Sequence, residues 1–368
     1  MSIVARVSAY VRAAWPLLAL LLLVGVVTLA CSAGNDVLER RATIMLVNLV
    51  FVVGLYVFVG SSGVLSFGHV SFMAIGAYTA GLVTARVQLK HILIPGAPDW
   101  IENAHLATIP AVLLAGVTAA TFALILAFPL MRLAGLAAGI ATLAVLVIVK
   151  TVLSHWDSLT GGLTALNGIP TDTGLFTALV WSLIAIVLAY LYQESRFGLR
   201  LKASREDDVA ARAVGISVAR ERGIAFVLSA FLVGLSGGLY AHFLGSITPD
   251  LFYFQITFLT IAMLVVGGIS SLAGAVTGTI FIAALQEGLR NLEQGPSFLP
   301  ERPGLTETGL AVVLLAVLIF RPRGLTGGRE LPWPFGRRSK RPDPGEGEAG
   351  PSDAGPEPDA IAEVGGPS

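Results

Sequence analysis

Charge is what this chain has least of. Lys+Arg 24 and Asp+Glu 24 in 368 residues make 13%, where a soluble domain carries about 25%. Hydrophobic residues are 55% of the sequence and mean hydropathy is +0.78. That is more apolar surface than globular cores of this length can hide from water, which excludes an ordinary soluble enzyme. A net charge of zero removes the basic face that a nucleic-acid binder needs. Cys31 is the sole cysteine, so neither an internal disulfide nor a Cys-based zinc site can form. No G-x-x-x-x-G-K-[ST] surrounds any lysine, so nucleotide phosphates have no P-loop to cradle them. There is no H-E-x-x-H either, and the five histidines (His69, His91, His105, His155, His242) stand far apart, which leaves a metalloprotease unsupported.

The few charges are concentrated. Residues 194–222 hold 12 of them and residues 330–368 another 12. Between these stretches lie ten apolar runs, approximately 15–33, 42–60, 66–85, 106–129, 134–153, 174–192, 223–244, 255–269, 272–289 and 305–320. A helical span needs about 20 residues to cross hydrocarbon, so the expected fold is all-α, a polytopic transmembrane bundle of about ten spans. The Gly- and Ser-rich third run and the short eighth and ninth are candidates for broken or re-entrant segments, which survive at membrane depth only inside protein or beside a wet cavity.

Arg and Lys set the orientation. Seven lie in the 194–222 loop and seven from Arg321 onward, which predicts that both are cytoplasmic. Arg6 and Arg12 put the N-terminus on the same side, with six crossings before the loop and four after it. Arg40 and Arg41 run against the scheme, since it places them outside. The motif Leu29-Ala30-Cys31-Ser32 looks like a lipoprotein cleavage site, but Thr28 stands where Leu is usual, so the first span is expected to be kept. From Glu330 the chain has eight prolines and seven glycines in 39 residues. Residues 1–329 are therefore read as the membrane domain and 330–368 as a disordered cytosolic tail.

Gly234-Leu235-Ser236-Gly237-Gly238 matches G-x-S-x-G, and a serine inside a span resembles the nucleophile of rhomboid-type proteases. A nucleophile needs a base within reach. His242 lies six residues on, about 9 Å along the same helix and on another face. Helix packing explains more: Ala230, Gly234 and Gly238 recur every four residues, as do Gly135 with Gly139 and Gly274 with Gly278, and small residues at that spacing let membrane helices approach closely.

The loop carries the clearest local signals. Ser204 followed by Asp207 predicts an N-cap, Val209, Ala210, Ala213 and Val214 share one face of the ensuing helix, and Gly215 ends it. Asp208 and Arg212 form an i,i+4 pair. A membrane-surface helix would carry Trp, Phe or Leu, whereas small side chains edged by charge suit a groove on a partner. Within the spans, Lys150 and Glu287 read as end residues that snorkel. His69 stays open as a functional candidate. Gly60-Ser61-Ser62-Gly63 with Ser66-Phe67-Gly68, and Gly267-Gly268-Ile269-Ser270-Ser271, are paired interruptions that predict an inverted repeat with a pathway between its halves. The near absence of buried carboxylates argues against a proton- or sodium-coupled single-chain carrier.

Leu65-Ser66-Phe67-Gly68-His69 with Gly76-Ala77-Tyr78, then Thr160-Gly161-Gly162 with Gly168-Ile169-Pro170, Arg205-Glu206-Asp207 with Ala210-Ala211 and Gly215-Ile216, Gly267-Gly268 with Gly274, and Arg321-Pro322-Arg323-Gly324-Leu325 together resemble the LivM-type permease subunits of branched-chain amino acid ABC importers. The resemblance covers roughly residues 40–325. It implies a non-enzymatic subunit in a bacterial inner membrane. Its partners would be a LivH-type permease, two cytosolic ATP-binding subunits that hold ATP and Mg, and an extracytoplasmic solute-binding protein, and this chain itself would bind no cofactor. The coupling loop of such permeases often reads E-A-A, three residues, then Gly. Here Val209-Ala210-Ala211 and Gly215 occupy those positions, with Val209 in place of the Glu and Glu206, Asp207 and Asp208 just upstream. The resemblance thus marks Arg205, Glu206, Asp207, Asp208, Ala210, Ala211 and Gly215 as ATPase-coupling residues. Ser66, Gly68, His69, Tyr78, Thr160, Gly161 and Gly162 are the expected substrate pathway. Branched-chain amino acids fit such a lining, as do urea and short amides.

Overall fold

A computed structural model describes residues 3–93, 98–133, 135–293, 304–321, 323–328 and 330. In chain order the elements are α1 (Ile3–Ser32), α2 (Asp36–Ser62), α3 (His69–Thr84), α4 (Val87–Leu93), α5 (Asp99–Glu102), α6 (Thr108–Leu130), α7 (Gly135–His155) and α8 (Asp157–Thr160). Strand β1 (Leu166–Asn167) precedes α9 (Leu175–Glu194), α10 (Arg196–Glu206), α11 (Asp208–Ala213) and α12 (Val218–Leu244). Strand β2 (Ser246–Ile247), a single 3-10 turn, α13 (Phe254–Gly267), α14 (Leu272–Glu293) and α15 (Leu305–Phe320) complete the order.

Each of the ten apolar runs is a helix. Among the described residues eight helices are long and apolar enough to cross a bilayer, the eighth run reaching that length only with its 3-10 turn, while α3 and α15 are shorter at 16 residues each. The ninth run, expected to be short or broken, is the continuous 22-residue α14; the short ones are the third, the eighth and the tenth, at 16, 14 and 16 residues.

Helices that are apolar all round belong in the interior, and α2 is the clearest case, with nearly its whole span buried. Its start is fixed by Asn35, whose side chain accepts the Leu38 N–H, and Asp36 and Glu39 complement the positive end of the helix dipole. α12, the other long interior helix, runs antiparallel to it. Ser229 donates to the Gly54 carbonyl at 2.6 Å and Ser236 to that of Val47 at 3.0 Å. Around this pair the outer helices turn Leu, Ile and Phe outward, among them Leu124, Ile125, Phe128, Leu136, Phe176 and Phe320, which is the exterior of a protein solvated by lipid.

The inverted repeat is legible in the element lengths. α2 and α12 both have 27 residues and end on a glycine in the left-handed region, Gly63 at φ 71° and Gly245 at φ 75°. Short helices follow, α3 with 16 residues and α13 with 14, and then long ones, α6 with 23 and α14 with 22. α3 and α6 pack on α12 as α13 and α14 pack on α2. α2 and α12 run antiparallel, so the two sets start from opposite directions. The structural counterpart of the 63–68 break is therefore the segment 245–253, and not Gly267–Ser271 as the glycine pattern suggested. Those two breaks lie instead at one end of the bundle and touch: a Cβ on Gly60 would sit 2.7 Å from the Ile269 carbonyl.

The small-residue spacing is used selectively. A Cβ on Gly237 would fall 2.0 Å from the Met73 carbonyl, and one on Gly234 would fall 2.7 Å from that of Ala115. Gly278 and Gly274 are equally crowded by α13 and the break that follows it. Gly135 and Gly139 share the spacing but not the role, since the first has no neighbour within 4 Å and the nearest atom to the second is at 3.6 Å.

Candidate functional site

At the end of the bundle where α2 stops, α10 and α11 form a platform. Ser195 caps α10 by accepting the Gly198 N–H, and Leu201 and Ser204 bury its inner face. Ser204 is thus inside α10, its hydroxyl on the Leu201 carbonyl, and the cap of the next helix is Asp207. Its Oδ1 accepts from the N–H groups of Val209 and Ala210, both at 2.9 Å. The other end closes as the sequence predicts. Gly215, at φ 85°, donates to the Arg212 carbonyl while Ile216 donates to that of Ala211, the paired bonds of a Schellman motif. The Asp208–Arg212 ion pair forms at 2.6 Å.

Only Ala211 of α11 is buried. Val209 is 78% and Val214 76% exposed, and Ala210 and Ala213 are exposed beside them. The apolar stripe therefore faces away from the chain. Arg205 does not join this face: its guanidinium donates to the Gly60 carbonyl at 2.7 Å and ties the platform to the end of α2. Glu206 is exposed. Nearby, burial pulls the Lys202 ammonium below its ordinary pKa range, with Glu330 and Glu194 opposing the drop.

Glu330, the first residue of the expected tail, is docked at this end as well. Its two carboxylate oxygens accept the N–H groups of Leu272 and Ala273, at 2.8 and 3.2 Å, and so cap α14. Leu325 and Thr326 donate to the Val266 and Gly267 carbonyls, so the segment after α15 clasps the break between α13 and α14. Residues 331–368, the rest of the expected tail, lie outside the described residues.

The expected pathway residues fall into separate places. Ser66 and His69 meet, Oγ to Nδ1 at 2.7 Å, and the imidazole lies 5.5–5.7 Å from the rings of Phe58, Phe72 and Phe226. Gly68 presses on the Thr142 carbonyl of α7. Tyr78 is buried further along α3, near Phe252. Thr160 donates to the Leu153 and Trp156 carbonyls, and Gly161 and Gly162 form the left-handed turn after it, at the opposite end of α7. None of the described cavities is lined by any of these seven.

Sequence reasoning passed over two residues. Glu287 does not merely snorkel; it forms an ion pair with Arg41 of α2. The available signal was Arg41 itself, a cation on the side where the charge rule wanted none. Lys150, read the same way, pairs with Asp250 at 3.0 Å. Ser236 spends its hydroxyl on Val47, and His242 turns its Nδ1 to the Gly238 carbonyl, so the G-x-S-x-G match is a packing element. Among the described residues no three His, Cys, Asp or Glu side chains gather to hold a metal ion.

A polytopic helical bundle with an inverted repeat and, at one end, a short helix whose apolar face is exposed among the described residues is the build of a membrane permease subunit. The chain belongs to the family described as branched-chain amino acid transport system / permease component, whose model matches residues 37–320. It is similar to the high-affinity branched-chain amino acid transport system permease protein LivM of Escherichia coli, 27% identical over 77% of this chain and 68% of that protein. The probable branched-chain amino acid transport permease protein LivH of Methanocaldococcus jannaschii is 31% identical over 39% of this chain and 45% of its own. The autoinducer 2 import system permease protein LsrC of Klebsiella pneumoniae is 32% identical over 40% and 43%. No solved structure matches the chain. The family is one of transport components, not of enzymes.

Proposed function

We propose that this chain is one permease subunit of an ATP-driven importer of branched-chain amino acids in a bacterial inner membrane. It pairs with a LivH-type permease, receives solute from an external binding protein and docks two cytosolic ATP-binding subunits, which carry the ATP and Mg. The observation that carries this reading is the outward apolar face of α11, Val209, Ala210, Ala213 and Val214, on a helix capped at both ends and tied to α2 through Arg205. A rigid, small-sided ridge fits a protein groove, and among the described residues nothing covers it.

The orientation follows from the charge bias. The platform, both termini and the clasp at Glu330 lie on the cytoplasmic side, with six apolar helices before the platform and four after it. Movement of an ATPase groove would reach the bundle through Arg205 to the end of α2 and, through the contact of Gly60 with Ile269, to the α13–α14 break. Alternating access then consists of one repeat rocking against the other. As for the solute, the names of the Escherichia coli and Methanocaldococcus relatives favour branched-chain amino acids over urea, amides or the solute of the Klebsiella relative.

The test is co-purification of the tagged chain with co-expressed ATP-binding subunits. Val209→Asp with Val214→Asp should abolish co-elution while the permease still inserts and elutes as a folded species. Undiminished co-elution by that double variant refutes the docking assignment.

A further inference from the structure

The Arg41–Glu287 pair opens on a cavity of about 120 Å³ between α2 and α14, whose other polar lining is Asn48, Gln286 and Arg290. Through Gln286 and Arg290 it adjoins a second cavity of about 320 Å³ walled by Phe258, Leu259, Ile282, Leu310 and Leu314. One chamber is charged with both signs, and its neighbour has an apolar wall beside Gln255, Thr306 and Glu307.

Three features mark the polar chamber as built to receive something. Arg41 lies just before the apolar run of α2, about 8 Å inside the start of the helix at a 1.5 Å rise per residue, and its ion pair with Glu287 sets charges of both signs at the mouth of the span. Asn48 is 5% exposed and its Oδ1 has no hydrogen-bond donor, so a buried acceptor faces the cavity unsatisfied, a costly arrangement unless a ligand supplies the donor. Two guanidinium groups, Arg41 and Arg290, stand beside the Glu287 carboxylate, and Glu307 lines the adjoining cavity with Arg290, so charges of both signs face the joined space.

A zwitterionic α-amino acid completes this set. Its carboxylate accepts from Arg41 and Arg290, and its ammonium donates to Glu287, Asn48 Oδ1 and Gln286 Oε1. A branched aliphatic side chain then enters the second chamber beside Phe258 and Leu310. We infer that these two cavities are one reception site for an α-amino acid with a branched aliphatic side chain, at the end of the bundle opposite the α10–α11 platform. The inference rests on the amino-acid importer reading and deepens it by naming where in this chain the solute is held.

The probe is photo-leucine, a diazirine analogue of leucine, applied to the assembled importer in nanodiscs, with labelled peptides mapped by mass spectrometry and leucine uptake measured on the same preparation. Labelling should fall on α13, α14 or α15 beside the second chamber and be displaced by excess leucine. 4-Methylpentanoate, which lacks the ammonium, should not displace it. Glu287→Gln and Asn48→Ala should each weaken leucine competition roughly ten- to hundredfold, the loss of one charge-assisted or buried hydrogen bond. Leu310→Trp, which fills the apolar part of the second chamber and keeps every charged residue, should block labelling in a complex that still co-purifies. Leucine uptake with no label on these helices, or equal displacement by 4-methylpentanoate, overturns the site while leaving the importer reading intact. Absence of any amino-acid uptake by the assembled complex overturns the importer reading and the site together.

Discussion

Gly215 offers the sharpest test of the docking helix, because its role is conformational and nothing else. It sits at φ 85°, and an added Cβ would meet no atom within 4 Å, so substitution creates no clash to confuse the result. An L-residue held in the left-handed region costs about 1–2 kcal/mol, and a β-branched one more. At stake are two bonds of 3.0 Å each, Gly215 to Arg212 and Ile216 to Ala211, which close the last turn of a six-residue helix. A helix that short has no reserve of its own, so 1–2 kcal/mol should lower the population of the closed end roughly five- to thirtyfold. The order expected for ATPase stimulation and uptake in the assembled importer is Gly, then Asn, then Ala, then Val, since Asn tolerates the left-handed region best after Gly. Membrane insertion and the thermal midpoint of the bundle should stay within error, because α11 buries only Ala211. A Val variant with normal stimulation and uptake would refute the assignment, and so would an Asn variant as damaged as Val.

Two further perturbations probe the bundle. Gly237→Ala drives a methyl into the Met73 carbonyl at the α3–α12 contact and should cost about 3 kcal/mol, the upper range for overpacking, read as a lowered melting temperature in detergent; Gly25→Ala, with nothing within 4 Å, should leave it unchanged. Equal midpoints for the two would show that the close approach is not maintained. Glu330→Ala removes both acceptors at the start of α14 and should cost about 1–2 kcal/mol, seen as faster hydrogen exchange at Leu272 and Ala273; unchanged exchange there would mean that the clasp does not hold α14.

Local properties were readable without coordinates. The ten helices, the glycine end at Gly215 and the Asp208–Arg212 pair each depend on a few neighbouring residues or on hydropathy summed over one helix. Hydropathy likewise sufficed for the six apolar helices before the platform and the four after it. Even the error at Ser204 was small, because Ser and Asp are both good caps and only the packing of Leu201 carries α10 past the serine.

Relations between helices were not readable, since the spacing of small residues says which face permits close approach and not what lies opposite. Gly135 with Gly139 and Gly234 with Gly238 look alike in sequence, yet only the second pair meets another helix closely. The glycine-rich breaks at 60–68 and 267–271 look symmetric, but the antiparallel pairing of α2 with α12 makes 245–253 the true counterpart of the first. Arg41 was an anomaly of the charge rule until α14 brought Glu287 to it from the far end of the chain. Hydropathy determined that this chain is a polytopic helical membrane protein, because each apolar helix is legible by itself. Only tertiary packing decided which of its few charges meet inside, because that depends on how helices distant in sequence are paired.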